Sequence, residues 1–370
     1  MDKLFQAQEI GSLAKPNWRV RKILGQQLKG NDYADLDKWG SMLGIDTKEA
    51  KGMLKSELTE ESRKSLMELS SLFAVRLQEK AGLDIIFNGE QFRVEMYQEP
   101  VENIEGFRFC GEVRSFDNKY YNKAAVVSKP ACKNIYHLSE FDVVKKQTAK
   151  EIKVPITGAY TLADWSFNEH YMRKWKAKAS GREASLEAKR EFTLDLAREV
   201  IRPNIKALAD AGARIIQVDE PAAGTKPDEV GILVESFNES VKGIGCKFVV
   251  HNCYSDYRSL IPAIFEMKKC RQFTLEFANR DHKHTDGYRD IELFRQHNDN
   301  RELGLGVVNV HSNEIETAEL VRDRILGVSK ALRNPALIYV NPDCGLRTRS
   351  WEVSFAKLSN MAKGAEMARG

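Results

Sequence analysis

The stretches ARIIQVDE at residues 213–220 and KFVVHNC at residues 247–253 decide the fold of this chain. Each is a short run rich in Val, Ile or Phe that ends in polar residues. Continuous apolar runs of this kind are typical of strands that are buried on both faces of a parallel sheet. Comparable runs recur along the chain, and the eight predicted strands span residues 8–13, 84–90, 154–161, 213–220, 247–253, 271–277, 303–311 and 336–342.

Helical patterns separate most of these strands. One helix is predicted to begin after Thr59, which can cap it, and to end at Gly82, just before the second strand. Other predicted helices span residues 187–211, 315–333 and 351–369, the first of them bent at Pro203.

The alternation of strands and helices predicts an α/β fold, a single (β/α)8 TIM barrel formed by residues 1–370. Two additions to the bare pattern are expected. One is a helical insertion at residues 14–80, after the first strand. The other is a β-hairpin at residues 106–128, after the second strand, with its turn at Asp117-Asn118.

The composition excludes several classes of protein. Hydrophobic residues make up 42% of the chain and charged residues 30%, which is enough for a large core and a solvated surface. The net charge of +4 is spread along the chain, so nucleic acid is not expected as a partner. No run approaches 18 apolar residues and the N-terminus MDKLFQAQ lacks an apolar core, so we expect a cytoplasmic protein without a membrane partner.

Polar residues stand where the predicted strands end. In a barrel of this type, reactive side chains lie at the carboxyl ends of the strands, so these residues should meet at one face. The convergence predicts a functional face made of Ser12, Glu90, Asp219, Glu220, His251, Cys253, Glu276, His311, Asp343 and Cys344.

Within this face the residue types favour zinc. His251 and Cys253 are two residues apart, so in an extended strand both side chains point to the same side. Cys344 and Glu276 end other strands and can reach the same mouth. Imidazole and two thiolates are ligands that zinc prefers, and a carboxylate in an apolar strand needs a metal or a charge partner. We therefore predict a zinc site.

The other metal-binding residue types are expected to be structural or solvated. Six cysteines in 370 residues do not form a secreted disulfide framework. Four of them, Cys110, Cys132, Cys246 and Cys270, lack a matching ligand pattern. His282 and His284 lie in the charged stretch NRDHKHTD and are predicted to occupy a solvated loop, with an adventitious metal site as the lesser alternative.

Taken together, these residues resemble the C-terminal catalytic barrel of cobalamin-independent methionine synthase. The resemblance covers nearly the whole chain. It rests on IGS at 10–12, NGE at 88–90, DWSF at 164–167, IIQVDEPA at 215–222, HNCY at 251–254, GVVNVHS at 306–312 and NPDCGLRTR at 341–349. It implies a zinc-dependent enzyme that methylates L-homocysteine to L-methionine, with Zn2+ as its cofactor.

The resemblance also implies a role for each site residue. The zinc ligands are His251, Cys253, Glu276 and Cys344; the amino acid portion of homocysteine is held by Ser12, Glu90 and Asp219, with Ile10 and Gly11 beside Ser12; the proton donor is His311. The chemistry of the residues agrees. A free thiol, with a pKa of about 8.5, is mostly protonated at neutral pH, whereas a zinc-bound thiol is deprotonated. Glu276 is the ligand expected to yield to the incoming sulfur.

The departures from the family pattern lie where a folate donor would bind. Lys123-Ala124 replaces an Arg-Cys pair, Thr225 replaces a Glu, and the family's N-terminal barrel is missing. Trp165 remains as a stacking surface, and Trp165 and Lys123 are the residues expected to bind the donor. Asn309 replaces the family's Asp near His311, and a reduced corrinoid leaves without a proton. We therefore expect methylcobalamin or a methylated corrinoid protein as the methyl donor, with methyltetrahydrofolate as the alternative.

Three other functions stay open at this point. A methyltransferase acting on another small thiol, such as coenzyme M, is disfavoured because Glu90 and Asp219 would repel a sulfonate. A zinc hydrolase is disfavoured because two thiolate ligands reduce the Lewis acidity of the metal. A closed structural zinc site is disfavoured because such sites commonly use ligand pairs in small loops, and here the ligands come from three strands.

Overall fold

The computed structural model describes residues 3–114, 120–281, 287–297 and 299–370. Ten strands are present in these ranges: β1 (Ile85–Ile86), β2 (Ile104–Arg114), β3 (Tyr120–Cys132), β4 (Glu151–Thr157), β5 (Phe167–Asn168), β6 (Ile215–Asp219), β7 (Lys247–Asn252), β8 (Cys270–Leu275), β9 (Glu302–Val308) and β10 (Ile338–Pro342). Seven of them form a curled parallel sheet in the order β1-β4-β6-β7-β8-β9-β10, and β2-β3-β5 form a small separate sheet. The predicted α/β class with a parallel sheet is therefore confirmed.

Helices cover the sheet and fill the predicted insertion. They are α1 (Asn17–Ile23), α2 (Gly30–Leu43), α3 (Lys48–Lys55), α4 (Glu60–Ala81), α5 (Gln98–Glu102), α6 (Leu138–Gln147), α7 (Ala159–Asp164), α8 (Glu169–Lys176), α9 (Gly181–Leu196), α10 (Arg202–Asp210), α11 (Val230–Ser240), α12 (Tyr257–Leu260), α13 (Ile291–Gln296), α14 (Ala318–Leu332) and α15 (Trp351–Arg369). No helix in the described part of the chain is long and apolar enough to cross a membrane.

The first predicted strand, residues 8–13, is wrong as a continuous strand. Only isolated parallel bridges form in this region, from Ala7 to Val340, from Gln8 to Ile85 and from Leu13 to Leu346. The backbone N–H of Gln8 donates to the carbonyl of Val340 at 2.8 Å, and that of Glu9 donates to the carbonyl of Ile85 at 3.2 Å. The backbone hydrogen bonds to the two edge strands, β10 and β1, involve only residues 6–9, so the paired stretch is shorter than the predicted strand and begins before it.

The two expected additions to the fold are present. Helices α1 to α4 occupy the insertion, and Thr59 caps α4 by accepting a hydrogen bond from the backbone N–H of Ser62 at 3.1 Å. Gly82 ends the same helix with φ 92°, a left-handed conformation that favours glycine. The antiparallel pair β2 and β3 stands where the hairpin was expected. Its predicted turn at Asp117-Asn118 lies outside the described residues, as do His282 and His284.

The expected bend near Pro203 takes a specific form. The long helical stretch is divided into α9 and α10 by one π-helical turn at Ala197–Ile201, just before the proline. A proline lacks the N–H that would bond to the preceding turn, and an irregular turn there accommodates the lost hydrogen bond. The bend therefore begins several residues before the proline that accounts for it.

Candidate active site

Three of the predicted zinc ligands converge at the carboxyl ends of β7 and β10. Ligand atoms of His251, Cys253 and Cys344 all lie within 4.8 Å of one another. His251 is near the end of β7, Cys253 follows that strand directly, and Cys344 follows β10. The alternation of side chains along β7 places His251 and Cys253 on the same side, which is the geometry that their spacing predicts.

The histidine is oriented as a metal ligand would be. Its Nδ1 is 3.1 Å from the carbonyl oxygen of Thr274, which fixes the proton on Nδ1 and leaves Nε2 with its lone pair. Among the described residues, Nε2 is buried and finds no hydrogen-bonding partner that meets the usual geometry. A buried, unprotonated ring nitrogen beside two thiols fits a metal ion.

The spacing of the two sulfur atoms also fits zinc. Sγ of Cys253 and Sγ of Cys344 are 3.7 Å apart. Two thiolates bound to one tetrahedral zinc at about 2.3 Å would be separated by about 3.8 Å. The donor set of one imidazole and two thiolates is the one expected for this metal, so the residues present fit a zinc ion.

The thiols and the imidazole influence one another's protonation. The hydrogen bond between the two thiols lowers the pKa of Cys344 well below its usual range and raises that of Cys253. Burial lowers the pKa of His251, but the adjacent Cys344 and the charge of Asp219 raise it overall. These shifts favour the thiolate form of Cys344, and a cation placed in the cluster would stabilise that charge.

Glu276, the fourth predicted ligand, lies beside the cluster but outside the group of three. It follows the end of β8 and is fully buried. Its carboxylate accepts hydrogen bonds from the backbone N–H of Tyr254, at 3.0 Å, and from the side chain of Asn279. Burial raises its pKa, and the nearby charge of Cys344 adds to the shift. The carboxylate is thus held near the thiols by contacts that do not require a metal.

His311, the predicted proton donor, faces the same carboxylate. Its Nε2 is 3.9 Å from Oε1 of Glu276, and its Nδ1 is 3.2 Å from the hydroxyl of Tyr254. Oδ1 of Asn309, which replaces the family's Asp, accepts a hydrogen bond from the backbone N–H of His311 at 2.7 Å. This contact shapes the loop after β9, a role in which Asn and Asp are equivalent acceptors.

The predicted amino acid pocket lies opposite, around the N-terminal segment. Glu90 has φ 57°, a left-handed conformation that is unfavourable for a residue with a side chain. Its Oε1 packs so closely on Gly11 that a Cβ atom there would lie 3.3 Å away. A glycine at position 11 therefore leaves the space that the Glu90 carboxylate occupies.

Asp219 joins the two halves of the site. It ends β6, where it is the register partner of His251 on β7. The side-chain amide of Gln217 donates to Oδ1 of Asp219 at 2.8 Å and to the carbonyl oxygen of Ile10 at 2.5 Å. Burial is the main cause that raises the pKa of Asp219 to about 7. An ammonium group that binds here would stabilise the ionised form of this carboxyl.

These residues line one pocket of about 1100 Å³ that opens to solvent. The predicted site residues along its wall are Ile10, Gly11, Ser12, Glu90, Trp165, Asp219, His251, Cys253, His311 and Cys344. Lys123 is not among the lining residues; its Nζ lies 4.3 Å from the ring centre of Phe167 on β5. Glu276 is also absent from the wall. The wall runs from the candidate zinc ligands to the aromatic ring of Trp165, so one pocket presents surfaces for two kinds of chemical group.

Several pocket residues were not singled out from the sequence. Tyr254, Tyr121 and Arg347 line the wall, and the rings of Tyr121 and Trp165 lie 5.6 Å apart. Tyr254 and Arg347 belong to the motifs HNCY and NPDCGLRTR, and their place in these motifs could have indicated that they line the site. Tyr121 lies on β3 and had no such signal, because its proximity to Trp165 depends on how β2, β3 and β5 pack.

Two residues of the predicted functional face have structural contacts instead. Glu220 accepts hydrogen bonds from the backbone N–H groups of Tyr160 and Thr161. Asp343 accepts from three consecutive backbone N–H groups at 277–279. Neither residue lines the pocket. These two buried carboxylates at strand ends bind the backbone of neighbouring loops. Their positions in the sequence do not distinguish this structural role from a catalytic role.

The spare cysteines are all free thiols, like the two in the cluster. Cys270 is buried and Cys132 and Cys246 are half-buried, in line with the structural role expected of them. Cys110 differs because it is exposed on β2. Outside the cluster of His251, Cys253 and Cys344, the described residues contain no other group of three potential metal ligands of this kind.

A parallel α/β sheet with a soft-metal ligand set at its carboxyl ends defines a candidate metalloenzyme. The family described as "Cobalamin-independent synthase, Catalytic domain" matches residues 45–367. The chain therefore belongs to the cobalamin-independent methionine synthase family, and the prediction that it is an enzyme of this class is confirmed.

Curated relatives share most of this chain. A protein named methionine synthase from Pyrococcus horikoshii is 40% identical over 97% of this chain and 91% of its own length. One from Thermococcus kodakarensis is 41% identical over 97% of this chain and 92% of its own length. These coverages agree with the expectation that the chain resembles the catalytic barrel of the family along nearly its whole length.

Solved structures with low sequence identity share the fold. A B12-independent methionine synthase from a Shewanella species superposes with a TM-score of 0.73 at 22% identity, covering 99% of this chain and 98% of that one. A methyltransferase from Methanosarcina mazei has a TM-score of 0.57 at 12% identity, with 97% and 100% of the two chains covered. The description of the family as cobalamin-independent argues against the corrinoid donor expected from the sequence.

Proposed function

We propose that this enzyme methylates the thiol of L-homocysteine to form L-methionine, with a zinc ion held by His251, Cys253 and Cys344. The observation that carries the proposal is the placement of these three ligands within 4.8 Å of one another in a pocket that Glu90 and Asp219 also line. One side of the pocket suits a thiol, and the other suits an ammonium group. The names of the Pyrococcus and Thermococcus relatives support the same reaction.

The zinc side would prepare the thiol. A zinc ion held by two thiolates and an imidazole lowers the pKa of a thiol that binds it, which supplies a nucleophile at neutral pH. The carbonyl oxygen of Thr274 fixes the tautomer of His251, and the backbone N–H of Tyr254 holds Glu276 close to the thiols. We propose Glu276 as the carboxylate that occupies the remaining ligand position until the substrate sulfur arrives.

The ammonium side would select the substrate. Glu90 and Asp219 present two carboxylates, and an ammonium is the group that two carboxylates stabilise. The backbone of Gly11 and Ser12 lies beside them and can meet the substrate carboxylate. Coenzyme M lacks an ammonium and carries a sulfonate, which these carboxylates would repel. This charge pattern is why we propose homocysteine rather than another small thiol.

His311 would act next to the donor. Its Nε2 faces the pocket near Glu276, and Tyr254 bonds to its other nitrogen. The family description and the structural neighbours weigh against cobalamin, and methyltetrahydrofolate, whose nitrogen leaves only with general-acid help, is the donor that gives His311 a chemical task. Trp165 and Tyr121 provide flat surfaces on which a pterin ring can stack.

We also propose that the chain is one catalytic unit with a closed (β/α)8 barrel. The support is the pairing of residues 7 and 8 with β10 on one side and with β1 on the other. This segment stands where the eighth strand of such a barrel would stand, between the two edges of the seven-stranded sheet.

The reaction is tested with purified, zinc-loaded protein by measuring methionine formation from homocysteine. Methylcobalamin and methyltetrahydrofolate triglutamate are supplied in separate assays at matched concentration, and coenzyme M replaces homocysteine in a parallel set. We expect methionine from homocysteine, faster with the folate donor, and no product from coenzyme M. Lack of methionine with both donors, or an equal rate with coenzyme M, contradicts the proposal.

The role of the metal needs a separate measurement. X-ray absorption at the zinc edge, with and without homocysteine, reports the atoms bound to the metal. A new sulfur neighbour on addition of homocysteine is expected. An unchanged coordination sphere would favour a closed structural site, and hydrolysis of an ester or amide without any thiol present would favour a zinc hydrolase.

A further inference from the structure

Arg93 lies directly behind Glu90 and does not line the pocket. Its side chain is 2% exposed and sits between two buried carboxylates. Nε of Arg93 donates to Oε2 of Glu140 at 2.8 Å, and Nη1 of Arg93 is 3.6 Å from Oε1 of Glu90. Burying the guanidinium of Arg93 lowers the stability of the fold unless the carboxylates of Glu90 and Glu140 beside it are ionised. The three side chains therefore stabilise one another's charges.

The backbone binds the same two residues together. The N–H of Arg93 donates to the carbonyl oxygen of Glu90 at 3.1 Å, and the N–H of Glu90 donates to Oδ1 of Asn88 at 3.0 Å. These bonds close a turn in which Gly89 has φ 64° and Glu90 has φ 57°. A glutamate adopts this left-handed conformation only where its surroundings enforce it.

The charges explain why Glu90 needs a fixed partner. Glu90 and Asp219 line the same pocket and both are buried, so their two carboxylates repel each other when both are ionised. Arg93 contributes the positive charge closest to Glu90 among the ion pairs of the described residues. On the other side, Gly11 leaves room for Oε1 of Glu90. The carboxylate is thus confined between Arg93 and Gly11.

We propose that Arg93, anchored by Glu140, is a positioning residue that fixes the Glu90 carboxylate and makes the pocket select thiols that carry an ammonium group. This inference rests on the proposed function, because it takes homocysteine as the substrate. Arg93 itself does not contact the substrate. Its effect reaches the substrate through the orientation and charge of Glu90, and it leaves the zinc ligands untouched.

The test compares homocysteine with 4-mercaptobutanoate, which is homocysteine without its amino group. Arg93→Gln should raise the KM for homocysteine roughly tenfold or more, because a charged contact in a buried site is weakened. The KM for 4-mercaptobutanoate and the zinc content should change little. Glu140→Gln, which keeps the size of the side chain, should shift the preference in the same direction, and Arg93→Lys should restore part of it.

A double-variant cycle separates positioning from a general loss of stability. If Arg93 acts through Glu90, adding Arg93→Gln to Glu90→Gln should raise the KM for homocysteine no further. Arg324→Gln is the matched control, because Arg324 is also buried and paired with a carboxylate, Asp281, at 2.9 Å. It should lower thermal stability and leave the preference between the two thiols unchanged.

The results that would contradict this inference differ from those that would contradict the proposed function. Independent effects in the double variant, or an unchanged preference in both Arg93→Gln and Glu140→Gln, overturn the inference while the proposed function stands. A wild-type enzyme that methylates both thiols equally well overturns the inference together with the ammonium pocket on which it rests. If Arg93→Gln does not fold, the comparison of Glu140→Gln with Arg324→Gln decides the question.

Discussion

The two sides of the pocket are built in different ways. On the zinc side, His251, Cys253 and Cys344 stand at the ends of regular strands, and their relative positions follow from strand geometry. On the ammonium side, Glu90 stands in a left-handed turn and is confined by residues that are neither neighbours in a strand nor part of a repeating pattern. Strand geometry therefore defines the zinc side, and tertiary packing defines the ammonium side.

The largest expected effect is on the zinc side. Cys253→Ser or Cys344→Ser should abolish both zinc retention and methyl transfer, because each removes one of the two thiolates that hold the metal. The fold should survive, since a core of this size does not depend on one metal ion. Metal analysis, methionine formation and circular dichroism check the three statements.

The matched control for these variants is Cys246→Ser. Cys246 is a half-buried free thiol whose Sγ contacts the carbonyl oxygen of Ala213, and a serine hydroxyl can make the same contact. This variant should retain zinc and activity. Full activity of Cys253→Ser or Cys344→Ser after metal removal would show that the cluster is not the catalytic site.

The same difference explains which parts of the site could be predicted from the sequence. The pattern His-x-Cys needs only the alternation of a strand to predict two side chains on one side, and the polar ends of buried strands place Cys344 nearby. Glu90 ends the second predicted strand, which placed it on the functional face, but its role in binding the substrate came only from the resemblance. Neither its positive φ nor its contact with Arg93 could be predicted, because both depend on the packing of Gly11 and Glu140.

The fold, like the site, was predicted from the sequence only in part. Strands β4 and β6 to β10 were predicted within a few residues, because long apolar runs leave little choice. The segment at 8–13 was wrong as a strand of that length, since its backbone hydrogen bonds to the two edge strands are confined to residues 6–9. Glu220 and Asp343 failed as pocket residues because a buried carboxylate that binds loop backbone looks the same in sequence as a catalytic one.

The next effect concerns His311, which lies beside Glu276 on the zinc side. His311→Ala should lower kcat roughly 100-fold with methyltetrahydrofolate, because the leaving nitrogen loses its general acid. With methylcobalamin the loss should be far smaller, since the reduced cobalt needs no proton. Initial rates with both donors check the difference, with His297→Ala, an exposed histidine after α13, as the control. Equal losses with the two donors would mean that His311 does not protonate the leaving group.

A smaller effect is expected at the ammonium side. Glu90→Gln and Asp219→Asn should each raise the KM for homocysteine roughly 10- to 100-fold, which corresponds to about 1.5–3 kcal/mol for a hydrogen bond to a charged group. Zinc content should remain at the wild-type level. Asp84→Asn is the control, because Asp84 is a half-buried carboxylate at the opposite end of β1. Wild-type KM values in both pocket variants would place the amino acid site elsewhere.

The smallest effect is expected beneath the ammonium side, at Glu9. This residue is 4% exposed, and burial raises the pKa of its carboxyl from 4.5 to about 8. From about pH 4.5 to 8 the unfolded chain releases this proton while the folded chain keeps it, so the native state loses stability as the pH rises through that window. Below this pH window Glu9 is protonated in both the folded and the unfolded chain, so it causes no loss of stability. Above the window Glu9 is ionised in both, and the loss of stability no longer changes with pH.

Glu9→Gln removes this penalty because its side chain never ionises. We expect its melting temperature to match the wild type near pH 4.5 and to exceed it at pH 8 by about 4 °C, on the order of 2 kcal/mol. Lys153, the buried lysine whose charge acts on Glu9, has a pKa lowered to about 8, so its own titration alters stability mainly above the window. Calorimetry at several pH values checks the trend, with the exposed Glu151→Gln as a control that should follow the wild type throughout. If the difference in melting temperature between Glu9→Gln and the wild type does not widen with pH, Glu9 is already ionised in the folded chain. The charge beneath the pocket would then include a third carboxylate beside Glu90 and Asp219.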